Sequence, residues 1–282
     1  MSDQTIRRHR GSAVGSTITH LVLAVGGLIM VFPFVWQILM SLSTNAQVMS
    51  VPPSIWPGEL QFENYAEVFR KIPFLDQLTM SVVITVLRTV GQLVLCTLAG
   101  YAFARMAFRG KNLIFAVILS LLMVPPQIYL IPQYLIVQGA GLLNTPLGVA
   151  LPGFFSAFGI YLMRQAFSGL PDELEEAARL DGANPFQIFF RIMLPLVGPS
   201  LSALVIITVL WSWNDLLWPL VVTTRAQDMP LSVGLATLQG QFSTDYSVMM
   251  AASLLAMLPV LILFLVLQRR VVRGLAFSGM KG

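Results

Sequence analysis

Six long apolar runs divide this sequence, and each is long enough to cross a lipid bilayer as a helix. A spanning helix needs about 20 predominantly apolar residues. Lipid offers no hydrogen-bond partner to a free backbone group, so a spanning run must satisfy its backbone internally, as a helix does. We therefore predict an all-α membrane protein with six transmembrane helices. The predicted spans are Ile18–Leu42, Leu78–Ala104, Leu113–Val137, Pro146–Phe167, Ser200–Val222 and Val248–Leu267.

Composition excludes several other classes of protein. Only 11% of the 282 residues are charged and 56% are hydrophobic, whereas a soluble domain carries about 25% charged residues. The single Cys96 cannot form an intramolecular disulfide, and both histidines lie near the N-terminus, so we predict no metal site. The basic residues are scattered between apolar runs rather than gathered on one patch, which argues against a nucleic-acid partner.

The distribution of Lys and Arg between the loops predicts the orientation, because short cytoplasmic loops carry an excess of basic residues. If the N-terminus is inside, the outer segments hold only Arg70, Lys71 and Arg225. We therefore predict a multi-pass protein with both termini in the cytoplasm. Residues 1–17 form a cytoplasmic tail, and residues 18–282 form one transmembrane domain. The inner segments hold Arg7, Arg8, Arg10, Arg105, Arg109, Lys111, Arg164, Arg179, Arg191, Arg269, Arg270, Arg273 and Lys281.

Prolines interrupt several predicted spans, most densely in MVPPQIYLIP at residues 123–132. Each proline removes a backbone donor and bends a helix. Such a break survives in a membrane where neighbouring helices or a watery cavity satisfy the freed carbonyl. The cluster indicates either the kinked wall of a moving pathway or the ordinary curvature of a packed helix.

The acidic stretch PDELEEAARLDGANPF, residues 171–186, is unusual in so apolar a chain. It lies in the longest predicted inner loop, residues 168–199. Pro171 suits a first helical position, and the acidic residues after it suit the positive helix start. Glu175 and Arg179 are four apart and can pair along one face.

A second helix follows within the same loop. Gly182 suits the left-handed end of the first helix. Asn184 can cap a second helix that Pro185 opens. The loop is therefore predicted to be a cytoplasmic helix–turn–helix between the fourth and fifth spans.

The first loop helix carries small Ala177 and Ala178 beside Glu176. Small side chains let another surface approach closely, and a carboxylate offers a charged hydrogen bond. The loop is thus either a docking surface for a cytoplasmic partner or a solvated hairpin on the lipid headgroups. An anionic inner leaflet disfavours the hairpin, because it repels acidic residues.

The segment EEAARLDGANPFQIFFRIMLPL resembles the EAA loop of permease subunits of binding-protein-dependent ABC importers. Other segments resemble the carbohydrate-uptake branch of that family, in particular the second permease of the maltose-type heterodimer. These segments are ENYAEVF, LAGYAFARMAFRGK, WNDLLWPLVVT and QRRVVRGLAFSGMKG. The tail ending FSGMKG departs from the usual small-residue ending. The residues that match the EAA pattern are Glu176, Ala177, Ala178, Gly182, Ile192, Leu194 and Pro195.

The resemblance implies a mechanism and a set of partners. The first loop helix would dock on an ATP-binding subunit, with coupling residues Glu176, Ala177, Ala178, Asp181, Gly182 and Pro195. The partners would be a second homologous permease subunit, two ATP-binding subunits and an extracytoplasmic solute-binding protein, all at a prokaryotic cytoplasmic (inner) membrane. ATP and Mg would be bound by the ATPase subunits and no cofactor by this chain. The C-terminal tail, residues 268–282, would also approach the ATPase dimer.

The implied activity is import of a sugar or related polyol-type solute by alternating access. The alternative is a secondary transporter or channel, which needs an ion-coupling or selectivity device within the membrane. No phosphate-binding loop and no catalytic motif occurs in the sequence, so the chain is not predicted to be an enzyme.

Two charged residues, Arg88 and Asp215, fall within predicted spans. A charge in a spanning helix is costly, so both should face protein or water. Either the pair forms an internal salt bridge, with neighbouring Trp residues in an interfacial belt, or these residues line the solute path. The candidate path residues are Arg88, Trp211, Trp213, Asn214 and Asp215, because indole faces stack on sugar rings and amide or carboxylate groups bind hydroxyls.

Overall fold

A computed structural model describes residues 13–52, 56–240 and 244–278, and every regular element in these ranges is helical. Residues 1–12 of the predicted N-terminal tail and residues 279–282 of the predicted C-terminal tail lie outside the described residues. The helices are α1 (Ala13–Ser41), α2 (Asn45–Val48), α3 (Glu63–Lys71), α4 (Phe74–Arg105), α5 (Lys111–Ser120), α6 (Leu130–Gly139), α7 (Pro146–Ala150), α8 (Ala157–Ser168), α9 (Glu173–Leu180), α10 (Pro185–Leu196), α11 (Gly198–Trp213), α12 (Leu217–Val222), α13 (Leu231–Thr237) and α14 (Tyr246–Ser278).

Three helices are long and apolar enough to cross a membrane without interruption. The qualifying stretches are Ile18–Ser41 in α1, Phe74–Arg105 in α4 and Tyr246–Leu265 in α14. They confirm the first, second and sixth predicted spans. α4 holds the fold together because it packs against both α8 and α11. The apolar side chains of α1 remain largely exposed, as expected of a helix that faces lipid or a neighbouring subunit.

The remaining predicted spans are interrupted. Lys111–Met123 and Pro126–Gly139 meet at 99°, and Pro146–Phe154 and Ala157–Ser168 meet at 46°. The predicted fifth span is divided between α11 and α12. The prolines within these spans indicated breaks, and the structure has a break in each of the three regions. A third bent pair joins Pro185–Leu196 to Gly198–Trp213 at 74°. Among the described residues the chain has up to six spans by length and composition if each bent pair counts as one.

Proline chemistry explains the sharpest of these breaks. Val124 has an extended backbone, with ψ of 117°, because a following proline disfavours the helical conformation. Pro125 is likewise extended, and the chain resumes as a 3-10 turn over Pro126–Tyr129. Of the two interpretations of MVPPQIYLIP, ordinary curvature of a packed helix is therefore wrong.

Polar side chains from neighbouring helices satisfy the backbone at the second break. In α4, the Gln92 side-chain amide donates to the Gly153 carbonyl at 2.8 Å, and the Arg88 guanidinium donates to the Val149 carbonyl at 3.3 Å. The Trp218 indole donates to the Gly148 carbonyl at 3.3 Å. The broken span is tolerated in the membrane because protein groups replace the lost helical hydrogen bonds.

α4 and α8 are in close contact at Gly100. A Cβ atom at this position would lie 2.5 Å from the Met163 Cβ and 2.9 Å from the Arg164 backbone nitrogen. Only glycine permits such an approach. Beside this crossing, a buried cluster that includes Phe167 and Phe189 packs the loop helices α9 and α10 against the ends of α4 and α8.

Candidate coupling loop and solute cavity

The first loop helix, α9, begins at Glu173 rather than at Pro171. The Asp172 carbonyl accepts from the backbone N–H groups of Glu175 and Glu176 at 3.0 and 3.2 Å. The Asp172 side chain does not cap the helix, because its carboxylate is bound by Arg105. Placing Pro171 at the first helical position was therefore wrong by two residues.

The turn between the loop helices confirms three predicted features. Gly182 has φ of +80°, the left-handed conformation predicted for the end of α9. Asn184 and Gln187 form a reciprocal cap, with both hydrogen bonds at 2.9 Å, and Pro185 opens α10. A cap of this kind satisfies two helix-start donors at once. The sequence therefore defines a rigid tip.

The two alanines of the predicted docking surface point in different directions. Glu176 and Ala177 are exposed, whereas Ala178 is buried in the cluster that contains Phe189 and Met193. Consecutive helical residues differ by about 100° around the axis, so the two cannot share one face. The small side chain of Ala178 packs within this chain and is not presented at the exposed surface of α9. Three other predicted coupling residues are exposed, namely Asp181, Gly182 and Pro195.

Two large apolar side chains at the tip were missed by the sequence analysis. Leu180 is 89% exposed and Phe186 is 76% exposed, one on each side of the Gly182 turn. Exposed apolar groups rimmed by polar residues mark interaction surfaces. The sequence signal that could have predicted their exposure is their position directly beside the turn, outside the pattern of buried positions in the two helices. We call Glu176, Ala177, Leu180 and Phe186 the loop tip.

Arg105 fastens the loop to the end of α4, a role that the sequence analysis did not assign. Its side chain is only 7% exposed, and it donates to the Phe167 carbonyl at 2.7 Å and to the Leu170 carbonyl. It forms ion pairs with Asp172 and, at 3.8 Å, with Glu175. One guanidinium therefore joins the transmembrane helix to the first turn of α9.

Glu175 completes this anchor from the loop side. Its side chain is 6% exposed and also pairs with Arg179 at 2.9 Å, which confirms the predicted pair. A buried carboxylate held by two cations is fixed in position. The buried side chains of Arg105 and Glu175 therefore connect α9 to the end of α4.

A cavity of about 670 Å³ lies between α4, α11 and the helix breaks. Arg88 and Asp215 both line it and form a salt bridge at 2.9 Å. The two interpretations of this pair are therefore compatible, since the salt bridge is present and faces a cavity. All three interrupted spans contribute to the wall, through Val124 and Pro126, through Pro152, Gly153 and residues 155–158, and through Asp215 with Leu217. Irregular backbone at membrane depth is tolerated where it lines such a cavity.

The tryptophans divide between the cavity and the protein interior. Trp211 lines the cavity, is 56% exposed and lies 5.8 Å from the Phe158 ring. Trp213 does not line it and instead donates to the Ala256 carbonyl in α14 at 3.2 Å. Residues two apart on a helix differ by about 200°, so they occupy opposite faces. Of the two tryptophans, only Trp211 is therefore placed in the wall of this cavity.

Asn214 is also absent from the cavity wall, because its side-chain amide donates back to the Leu210 carbonyl at 2.8 Å.

Several residues of the cavity wall were missed by the sequence analysis because they lie far apart in the sequence. They are Gln92, Tyr129, Gln133, Phe155, Phe158 and Thr208. The wall thus combines aromatic faces with amide and hydroxyl groups. In the described part of the chain, no group of three or more His, Cys, Asp or Glu residues could hold a metal ion.

Comparison with known proteins identifies the class. The family described as "Binding-protein-dependent transport system inner membrane component" matches residues 92–277. The arabinooligosaccharides transport system permease protein AraQ of Halalkalibacterium halodurans is 36% identical over 98% of this chain and 100% of that protein. The sn-glycerol-3-phosphate transport system permease protein UgpE of Pectobacterium atrosepticum is 34% identical over 97% of this chain and 99% of that protein.

The fold agrees with these sequence matches. It is similar to a chain in the crystal structure of a bacterial ABC transporter involved in the import of the acidic polysaccharide alginate. The TM-score is 0.78 and the identity 25%, covering 94% of this chain and 99% of that chain. The chain therefore belongs to the family of binding-protein-dependent transport system inner membrane components. It is a multi-pass permease subunit of an ABC importer, which decides against the secondary transporter or channel.

Proposed function

We propose that this permease couples to two separate ATP-binding subunits through the loop over residues 168–199. The observation that carries this proposal is the exposed loop tip, held rigidly to α4 by buried Arg105. ATP and Mg²⁺ are bound by the partner subunits. When these subunits close on ATP, they displace the loop tip, and the Arg105 anchor moves the end of α4.

The cavity wall favours a sugar or related polyol-type solute. Trp211 and Phe158 offer aromatic faces, and Gln92 and Gln133 offer amides. Amide groups exchange hydrogen bonds with hydroxyls. The Arg88 charge is offset by Asp215 at 2.9 Å, so the wall offers no uncompensated cation for a phosphate. A neutral polyhydroxylated solute therefore suits this chain better than the phosphorylated glycerol named for UgpE.

The remaining partners follow from the orientation. With both termini cytoplasmic, the loop tip faces the ATP-binding subunits, and the segments around α3 and α13 face outwards. A solute-binding protein delivers the solute to that outer surface. A second homologous permease completes the pathway, and the exposed apolar side chains of α1 face that subunit or lipid.

Reversing the charge of Glu176 tests the coupling. We expect Glu176→Lys to lower ATP-driven uptake and co-purification of the ATP-binding subunit by about tenfold, because a charged hydrogen bond is replaced by repulsion. The matched control is Glu59→Lys, since Glu59 is also exposed but lies before α3 on the proposed outer side. Unchanged uptake in Glu176→Lys, or equal losses in both variants, would contradict the proposal.

The two tryptophans provide a test of the solute path. We expect Trp211→Ala to weaken solute binding by the purified complex about tenfold, since an aromatic stacking surface is lost. Trp213→Ala removes an interior contact to α14, so it should lower thermal stability and leave solute binding intact. The measurement is equilibrium binding of radiolabelled sugar to the complex held with ATP. Equal effects of both variants on binding would refute the cavity assignment.

A further inference from the structure

A second cavity, of about 600 Å³, lies where α4 ends and α5 begins, next to α8. Its wall carries three cationic side chains, from Arg105, Lys111 and Arg164, and none of the residues that line it is acidic. The cavity lies at the boundary of a transmembrane span, because α4 is a full spanning helix that terminates at Arg105. It is separate from the solute cavity, with which it shares no lining residue.

The positive charge available in this cavity comes from Lys111 and Arg164. Arg105 is already neutralised by Asp172 and Glu175. The Lys111 ammonium donates to the Ala104 and Met106 carbonyls at 3.3 and 3.1 Å. These two contacts leave its third proton for a ligand.

Arg164 is held rigidly with its terminal nitrogens available. Its guanidinium carbon lies 4.1 Å from the centre of the Phe115 ring, and its Nε donates to the Phe103 carbonyl at 3.4 Å. Among the described residues, neither terminal nitrogen has a hydrogen-bond or ion-pair partner. A guanidinium fork of this kind matches the oxygen geometry of phosphate. Cation–π stacking preorganises it and lowers the ordering cost of binding.

The rim of the cavity is apolar. Met106 is 54% exposed, Phe108 is 40% exposed and Leu113 is 71% exposed. A free phosphate ion gains nothing from such a rim, whereas the glycerol and upper acyl chains of a phospholipid can cover it. Basic sites at membrane boundaries recognise anionic lipid headgroups. We propose that this cavity binds the headgroup phosphate of an anionic phospholipid. This site goes beyond the proposed transport function and does not depend on which solute is carried.

The assembled importer provides the test, with lipid retention measured by native mass spectrometry after purification from vesicles containing phosphatidylglycerol. We expect Lys111→Gln and Arg164→Gln each to lower retained phosphatidylglycerol about fivefold, as removal of one phosphate-binding cation predicts. Arg164→Lys should keep part of the binding, because it retains the charge without the fork. The matched control is Arg109→Gln, since Arg109 is an exposed cation of the same loop that does not line the cavity.

Several outcomes would overturn the lipid site. One is equal phosphatidylglycerol retention in the wild type and in Lys111→Gln. Another is an equal loss in Arg109→Gln, which would indicate general charge attraction. A third is displacement of the lipid by excess inorganic phosphate, because the cavity would then be a site for the free ion.

Discussion

Replacing Arg105 with glutamine is expected to lower solute uptake at least about tenfold while the protein still inserts in the membrane, because one buried ion-pair anchor is lost. The substitution leaves the Phe167 and Leu170 carbonyls without their donor. It also removes the α4 partner of Glu175, a carboxylate that is only 6% exposed. The loop tip can then move without moving α4. ATP hydrolysis by the assembled complex should therefore fall less than uptake does.

A lysine at position 105 separates charge from geometry. Arg105→Lys keeps the positive charge, but an ammonium cannot reach carbonyl and carboxylate oxygens on several sides as a planar fork does. We expect it to restore only part of the uptake. Arg109→Gln, which removes an exposed cation four residues later, should retain wild-type uptake.

The position of the loop can be followed by proteolysis. Arg179 is 62% exposed and pairs with Glu175, so trypsin should cleave after it faster once the anchor is removed. If Arg105→Gln kept both wild-type uptake and wild-type resistance to trypsin, the anchor would have no mechanical role. A loss of uptake with an unchanged ratio of transport to hydrolysis would contradict it as well.

The sequence predicted the local structure of the loop well because the signals are short-range. Gly182, Asn184 and Pro185 each act on their own backbone or on a neighbour within three residues, and the turn follows. The Glu175–Arg179 pair needs only a helical spacing of four. The start of α9 was misplaced because Arg105, far away in the sequence, competes for the side chain of Asp172.

The difference between short-range and long-range interactions also explains which features of the solute cavity the sequence predicted. Apolar runs and proline content predicted the spans and the presence of breaks, but not the 99° angle, which depends on how neighbouring helices satisfy the freed backbone. The different positions of Trp211 and Trp213 follow from helical periodicity. They could therefore have been predicted from the sequence, because residues two apart lie on opposite faces of a helix. The contributions of Tyr129, Gln133 and Phe158 could not be foreseen, because packing brings together segments that are distant in the chain.

Breaking the salt bridge between Arg88 and Asp215 is expected to lower the stability of the protein substantially. Arg88→Met leaves the Asp215 carboxylate unpaired, and Asp215→Leu leaves the Arg88 guanidinium unpaired. The side chains are 10% and 24% exposed, respectively, so breaking the pair should cost about 3–5 kcal/mol of stability. The two losses should differ. Arg88 is the more buried partner, so the charge left unpaired in Asp215→Leu is the less solvated one, and Asp215→Leu should be the more destabilising variant.

The double variant Arg88→Met/Asp215→Leu distinguishes folding from transport. With both charges removed, no buried charge is left unpaired, and most of the stability should return. Thermal unfolding of the purified complex measures this recovery. Uptake should nevertheless stay low, because the wall of the solute cavity has lost its two charged groups, which offer hydrogen bonds to hydroxyl groups. A double variant that is stable and transports with wild-type solute affinity would show that the pair only supports the fold. A double variant less stable than both single variants would contradict the assignment of these residues as a coupled pair.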